Sequence, residues 1–252
     1  MKLKAFLITY GISATALTIA VLLGAGDAMA QSFNLDLGPG GGEATARIVQ
    51  LVALITILSL APSILVMVTS FVRIIVVLSF LRTAMGTQQT PPNQVLVSLA
   101  LFVTAFIMMP TFEQAYDNGI EPLIAGQIDE FDAFERSVQP FREFMLRHVR
   151  EQDLELFVDI SGTEVDQARE QMPMRVLIPS FMISELRRAF EIGFLIFVPF
   201  LIIDMVVASV LMAMGMMMLP PIIIALPFKI IFFVLVDGWY IIVGSLVRSF
   251  GG

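Results

Sequence analysis

Four long apolar runs constrain this chain more than any other feature of its sequence. They lie within 48–81, 91–110, 194–214 and 222–247, near or above the length that a helix needs to cross a bilayer. Hydrophobic residues make up 57% of the 252 residues and charged residues 15%, with a mean hydropathy of +0.87, which excludes a soluble domain. The pattern predicts an all-α membrane protein, with four long, kinked hydrophobic segments that form two helical hairpins and an amphipathic helical region outside the cytoplasm.

Charge and reactive side chains exclude several classes of function. A net charge of -7 argues against a nucleic-acid partner, because phosphate binding needs clustered Lys and Arg. The chain has no cysteine and one histidine, which removes disulfides, thiolate chemistry and the common zinc sites. The sequence also lacks a Gly-rich phosphate loop and a Ser, His and Asp set. We therefore expect no enzyme, no metal site and no cofactor.

The N-terminal end has the organisation of a secretory signal peptide. Two lysines precede the apolar stretch from Ala5 to Leu23, and Ala28-Met29-Ala30 follows it. This order predicts that residues 1–30 are a signal peptide cleaved after Ala30, with an uncleaved first helix as the alternative. Residues 31–46 are polar and Gly-rich, which predicts a flexible exported tail.

The first hydrophobic hairpin is expected over residues 47–112. Its first run, Ile48–Leu81, is longer than the hydrocarbon core, so it must tilt, kink at Pro62 or extend beyond the lipid. Arg73 and Arg82 lie near the loop that follows, and positive charge concentrates on cytoplasmic loops. We therefore expect this loop inside the cell.

The second helix of that hairpin should begin within the same loop. Thr90 is a good N-cap residue, and Pro91 suits the first position of a helix. The apolar sequence then continues to Pro110 and returns the chain outward.

Residues 113–183 form an acidic region that this topology exports. From Glu113 to Arg188 the sequence holds sixteen Asp or Glu residues and eight Arg. The single histidine, His148, is expected at the surface or an interface. Apolar residues at helical spacing predict one apolar face over two amphipathic helices divided near Pro140. This face packs on the chain's own helices or on neighbouring copies, and it consists of Ile124, Ile128, Phe131, Val138, Phe141, Met145 and Val149.

The second hydrophobic hairpin, 184–252, is expected to begin with a helix at Ser184 and joins its two runs through a methionine-rich link. Six of the sixteen methionines fall between Met205 and Met218. Methionine is flexible and polarizable, so such a cluster makes a soft apolar surface. Counting spans places the link on the cytoplasmic side. We refer to the following residues as the Met link: Met212, Met214, Gly215, Met216, Met217, Met218, Pro220 and Pro221.

Three ionisable residues interrupt the apolar runs of this hairpin: Asp204, Lys229 and Asp237. Each costs on the order of 3 kcal/mol at a bilayer centre, so each should face protein or water and find a partner. A salt bridge across the hairpin is the simplest interpretation, and a proton or ion path is the alternative. An intramembrane aspartyl protease is disfavoured, because the local sequences IIDMV and LVDGW lack the motifs of that class. Arg73 is a further expected buried charge or subunit contact.

Three long blocks of the sequence resemble the FliP family of flagellar biosynthetic proteins, whose injectisome counterparts, the SctR proteins, form the export gate of type III secretion systems. The blocks are RIIVVLSFLRTAMGTQQTPPNQVLVSLALFVT at 73–104, LRRAFEIGFLIFVPFLIIDMVVASVLMAMGMMMLPP at 186–221 and IALPFKIIFFVLVDGW at 224–239. The signal peptide favours the flagellar branch of the family.

The resemblance implies an assembly in the bacterial inner membrane, at the flagellar basal body. It implies a ring of five copies with FliQ and FliR, next to FlhA and FlhB of the export apparatus, through which unfolded flagellar proteins pass. It also implies that the hydrophobic runs form bent hairpins that sit largely above the bilayer plane.

The resemblance further places the family's methionine constriction at Met216, Met217 and Met218. Our hypothesis is that a ring of these side chains seals the pore, with Gly215 turning the backbone and Pro220-Pro221 restarting the next helix. A Met-rich turn packed against lipid or protein is the alternative for the link. For the whole protein, the alternative is an ion or solute channel or transporter that uses Asp204, Lys229 and Asp237.

Overall fold

The structure, a computed structural model, describes residues 42–162, 172–216 and 218–251. The predicted signal peptide with Ala30, and most of the predicted exported tail, lie outside this part of the chain. The chain divides into two units, 1–57 and 58–252. Of the first unit only residues 42–57 are described, as the beginning of the first helix, and the cores and side-chain contacts below all lie in the second unit.

Every regular element in the described residues is helical, which confirms the predicted all-α class. The elements are α1 (Gly42–Met67), α2 (Phe71–Met85), α3 (Asn93–Ala115), a π-helical turn (Tyr116–Ile120), α4 (Glu121–Ile124), α5 (Glu130–His148), α6 (Glu151–Ser161), α7 (Met174–Ala213), α8 (Pro221–Leu235) and α9 (Gly238–Arg248).

Three stretches are long and apolar enough to cross a membrane: Ile48–Met67, Asn93–Ile124 and Met174–Ala213. Helices α8 and α9 are bent by 62° at the short break between them and make a fourth span if the pair is counted as one. The membrane character predicted from composition is thus carried by helices of sufficient length.

Three groups of buried side chains hold the second unit together. The α5–α6–α7 core includes Met145, Val158 and Phe181. The α2–α3–α9 core includes Ile74, Leu96 and Leu246 together with Ala189 of α7, and the α2–α7–α8 core includes Leu81, Phe200 and Phe233. Helix α7, which is 40 residues long, contributes buried side chains to all three cores and so connects them.

The predicted division of the amphipathic helices near Pro140 was wrong, and α1 and α3 also continue through a proline. Pro62 lies inside α1, and the first run breaks instead at 68–70. Helix α3 continues through Pro110, and α5 is one helix across Pro140 rather than two. A proline inside a helix removes one backbone hydrogen bond. Burial of Met108 and Thr111 beside Pro110, and of Pro140 itself, offsets that loss in α3 and α5.

Two predicted helix starts were also wrong. Helix α3 begins at Asn93 with Pro92 as its N-cap, because the Thr90 carbonyl accepts a hydrogen bond from Thr87 Oγ1 and belongs to the preceding turn. Helix α7 begins at Met174 rather than Ser184. The Ser184 hydroxyl lies inside that helix, within hydrogen-bond distance of both Ser180 O and Asp153 Oδ2, and it accepts from the Arg150 N–H.

The predicted apolar face of the acidic region divides into two parts. Its C-terminal part, with Met145 and Val149, is buried in the α5–α6–α7 core. Its N-terminal part is open, since Phe131 is 87% exposed and Ile124 is 75% exposed. Intramolecular packing therefore accounts for only half of the face.

Candidate functional site

The backbone of the Met link is fixed by a helix-terminating motif built on Gly215. The Gly215 N–H donates to Met212 O and the Met216 N–H donates to Leu211 O, both at 3.0 Å. These two bonds form a Schellman motif, which needs a left-handed residue just after the helix. Gly215 supplies it, with φ of 75°. The sequence-based role of Gly215 as the turning residue thus has a specific geometric basis.

The other end of the link is set by two prolines. Pro221 is the first residue of α8 and Pro220 is its N-cap, with an extended backbone. A proline at the first helical position has no N–H to leave unsatisfied. The link is therefore a short connection with defined ends, even though its middle residue, Met217, lies outside the described residues.

Three of the four described methionine side chains of the link are exposed. Met218 is 98% exposed, and Met212 and Met214 are exposed as well, whereas Met216 is half-buried. Burying an exposed thioether side chain on a partner is favourable, and its three rotatable bonds let it adapt to the partner's shape. The link can therefore act as a deformable apolar contact surface.

Lys229 and Asp204 form an ion pair between the two helices that the Met link connects. The Lys229 ammonium lies 2.7 Å from Asp204 Oδ2 and also donates to Ala84 O at 3.2 Å. It joins α8 to α7 and to the last turn of α2, where an unpaired carbonyl favours a positive charge. The lysine side chain is 7% exposed and the aspartate side chain 39% exposed.

Asp237 does not join that pair. It is exposed and occupies the break between α8 and α9. No ion pair found among the described residues includes it. The expectation that all three ionisable residues find one another is therefore met only for Asp204 and Lys229.

Arg73 is buried, but its partner is a residue that the sequence reading did not single out. Its Nε donates to Glu185 Oε2 at 2.7 Å, and its Nη2 donates to Oε1 of the same carboxylate. The side chains are 2% and 0% exposed. The signal for Glu185 was present, because an acidic residue at the head of an apolar helix needs a cationic partner when buried.

His148 lies beside the same charged cluster. Its Nδ1–H donates to Phe144 O at 2.7 Å. Burial lowers the pKa of His148, and the positive charges of Arg73 and Arg147 act in the same direction, against hydrogen bonds to the backbone of Phe144 and Phe250. Within the described ranges no three His, Asp or Glu side chains gather to hold a metal ion.

Long apolar helices, buried ion pairs between them and a methionine-rich link define an all-helical membrane protein. The FliP family model matches residues 54–246. The chain is 62% identical to the flagellar biosynthetic protein FliP of Caulobacter vibrioides over 224 residues, which cover 88% of this chain and 84% of that protein. It is 52% identical to the FliP proteins of Rhizobium meliloti, over 92% of this chain and 96% of that one, and of Bacillus subtilis, over 82% and 94%.

The chain therefore belongs to the FliP family and is a membrane component of the flagellar protein export apparatus. The predicted resemblance is confirmed, and with it the expectation of flagellar biosynthesis and protein export.

Proposed function

We propose that this protein forms, with further copies of itself, a ring-shaped pore whose narrowest part is the Met link. Unfolded flagellar proteins pass through this pore, and the acidic region lies on the extracytoplasmic side of the inner membrane. FliQ and FliR complete the ring, and FlhA and FlhB deliver substrates to it. The subunit acts by forming a passage and carries out no catalysis.

The observation that carries this proposal is the combination of a fixed backbone with exposed methionines. A Schellman motif on one side and two prolines on the other hold the ends of the link. Between them, Met218 has almost no contact with its own chain. An apolar side chain that is placed rigidly and left uncovered is suited to bury itself on something outside the chain.

Several such links around an axis make a seal that none of them makes alone. Methionine side chains from neighbouring copies can contact each other when the pore is empty and an extended polypeptide when it is occupied. Because thioethers are flexible and only weakly polar, they adapt to different substrate side chains without binding any of them tightly.

The test replaces the methionine side chains of the link and leaves the helices of the fold unchanged. The triple variant Met216→Ala, Met217→Ala, Met218→Ala should raise the leakage of small ions across the membrane of cells that express the assembled complex. The matched control is Met67→Ala, Met109→Ala, Met205→Ala, which removes three exposed methionines outside the link and should leave the membrane tight. A tight membrane in the link variant, with normal complex assembly, contradicts the proposal.

A further inference from the structure

Helix α9 is held to the rest of the protein mainly near its C-terminal end. Of its eleven residues, only Gly238 and Leu246 are buried. Leu246 belongs to the α2–α3–α9 core, against which the half-buried Ile242, Val243 and Val247 also pack. Trp239, Tyr240 and Ile241 near the beginning are exposed, although the Trp239 ring makes an edge contact with the Phe233 ring of α8 at a centroid distance of 5.4 Å. Few buried contacts are the mark of a segment that opens at low free-energy cost.

The two residues after α9 are bound by Arg73. Its Nη1 donates to Ser249 Oγ at 3.0 Å and to Ser249 O at 3.3 Å. Its guanidinium carbon lies 3.7 Å from the centre of the Phe250 ring, in a cation–π contact. Because Glu185 takes the remaining donors of the guanidinium, this one cation joins α2, α7 and the segment after α9. We refer to Ser249 and Phe250 as the clasp.

Phe250 also connects two of the three cores. Its ring stacks on Phe144 at a centroid distance of 6.0 Å and lies 5.2 Å from the His148 ring. It packs against the α5–α6–α7 core and against the α2–α3–α9 core. The clasp therefore fixes the end of α9 at the point where the two cores meet.

The beginning of α9 has the geometry of a hinge. Asp237 has φ of 52° and ψ of 53°, a left-handed conformation that is uncommon for a residue other than glycine. The next residue, Gly238, leaves no room for a side chain unless the Phe233 ring shifts, because a Cβ there would lie 2.2 Å from that ring. Helix α8, on the other side of this break, is held separately by Lys229 through its contacts with Asp204 and Ala84.

We propose that α9 is a hinged strap, which the clasp closes over Arg73 and which opens while α8 and the Met link stay in place. Closing the strap completes the burial of the Arg73–Glu185 pair and joins the two cores. Closure is then a separate step in completing the subunit. The proposal depends on the contacts of α9 and stands whether or not the Met link lines a pore.

Hydrogen exchange of the full-length protein in detergent, read by mass spectrometry, tests the strap. The variant Phe250→Ala removes the ring from Arg73, Phe144 and His148. Exchange of the α9 amides should rise by roughly tenfold or more as local opening becomes easier, while the α8 amides keep their wild-type rates. The matched control is Tyr240→Ala, which removes an exposed aromatic ring of the same helix and should leave α9 protected.

Two results would overturn the strap. One is unchanged exchange of the α9 amides in Phe250→Ala, and the other is an equal rise in α7, α8 and α9, which means that Phe250 supports the whole fold. If Phe250→Ala does not fold, Phe250→Leu decides in its place. Leucine keeps most of the apolar volume and loses the cation–π contact. A rise in amide exchange confined to α9 then supports the strap, whereas unchanged exchange or an equal rise in α7, α8 and α9 contradicts it.

Discussion

Replacing Glu185 by alanine should be among the most damaging single changes to the stability of this protein. The substitution leaves the Arg73 guanidinium buried without a negative charge beside it. Its contacts with Ser249 and Phe250 remain, but these are a hydroxyl, a carbonyl and a ring, and none of them carries a formal charge. The loss of the carboxylate is therefore not compensated locally.

The expected magnitude follows from burial. Both side chains are almost fully buried, and breaking such a pair by removing one partner costs about 3–5 kcal/mol of unfolding free energy. The pair Arg187–Glu191 provides the comparison, because it has a 3.0 Å contact with both side chains more than half exposed. Removing Glu191 should cost about 0.5 kcal/mol or less.

The measurement is an SDS titration of the purified protein in mixed micelles, followed by far-UV circular dichroism. Glu185→Ala should unfold at much lower SDS than wild type, and Glu191→Ala should not. The double variant Arg73→Met, Glu185→Leu should recover most of the loss, since an apolar pair needs no charge compensation. If Glu185→Ala and Glu191→Ala are equally stable, the Arg73–Glu185 pair is not buried as described.

Three further predictions concern separate sites. Gly119→Ala should lower the unfolding free energy by about 1–3 kcal/mol, because the new Cβ would lie 2.6 Å from Ala133 O and 2.0 Å from Ser137 Oγ. The same SDS titration measures this loss, and wild-type stability would contradict the close packing. Lys229→Met should cost about 3 kcal/mol, because it leaves the Asp204 carboxylate in an apolar helix without its cationic partner, and Asp204 Oδ1 has no hydrogen-bond partner among the described residues. Wild-type stability of this variant would refute the role of the pair. Burial holds the pKa of His148 in the folded protein below its ordinary value of 6.5. As the pH drops, His148 of the unfolded chain therefore binds a proton at a higher pH than His148 of the folded protein. The unfolding temperature should fall as the pH drops from about 6.5 through the lowered pKa. His148→Gln should flatten this slope, and an unchanged slope would assign it to another group.

The length and continuity of the apolar runs were enough to predict the helical membrane class, because a helix satisfies all its backbone hydrogen bonds within one such segment, whereas membrane strands are shorter and alternate apolar with polar residues. Helix ends were harder to predict. Proline and serine suggest ends by local rules, but α3, α5 and α7 continue where tertiary packing outweighs those rules.

Some of the ion-paired residues could be predicted from the sequence and others could not. Asp204 and Lys229 stand out in the sequence because apolar residues surround them, and the structure brings them together. Glu185 was missed because it lies in the charged stretch SELRRAFE, where its neighbours Arg187 and Arg188 are exposed. Only the packing of α7 against α2 distinguishes it from them, and that packing is close because Gly193 leaves room for the Phe80 ring.

The claim that the Met link lines the export passage is tested most directly by photo-crosslinking in cells in which a flagellar substrate is stalled in the export apparatus. A photoreactive residue at position 218 should crosslink to the substrate, and to neighbouring copies when no substrate is present. The same photoreactive residue at position 102, an exposed phenylalanine of α3, should not crosslink to the stalled substrate. Crosslinks from position 218 to lipid alone, with the substrate stalled in the apparatus, would contradict the account.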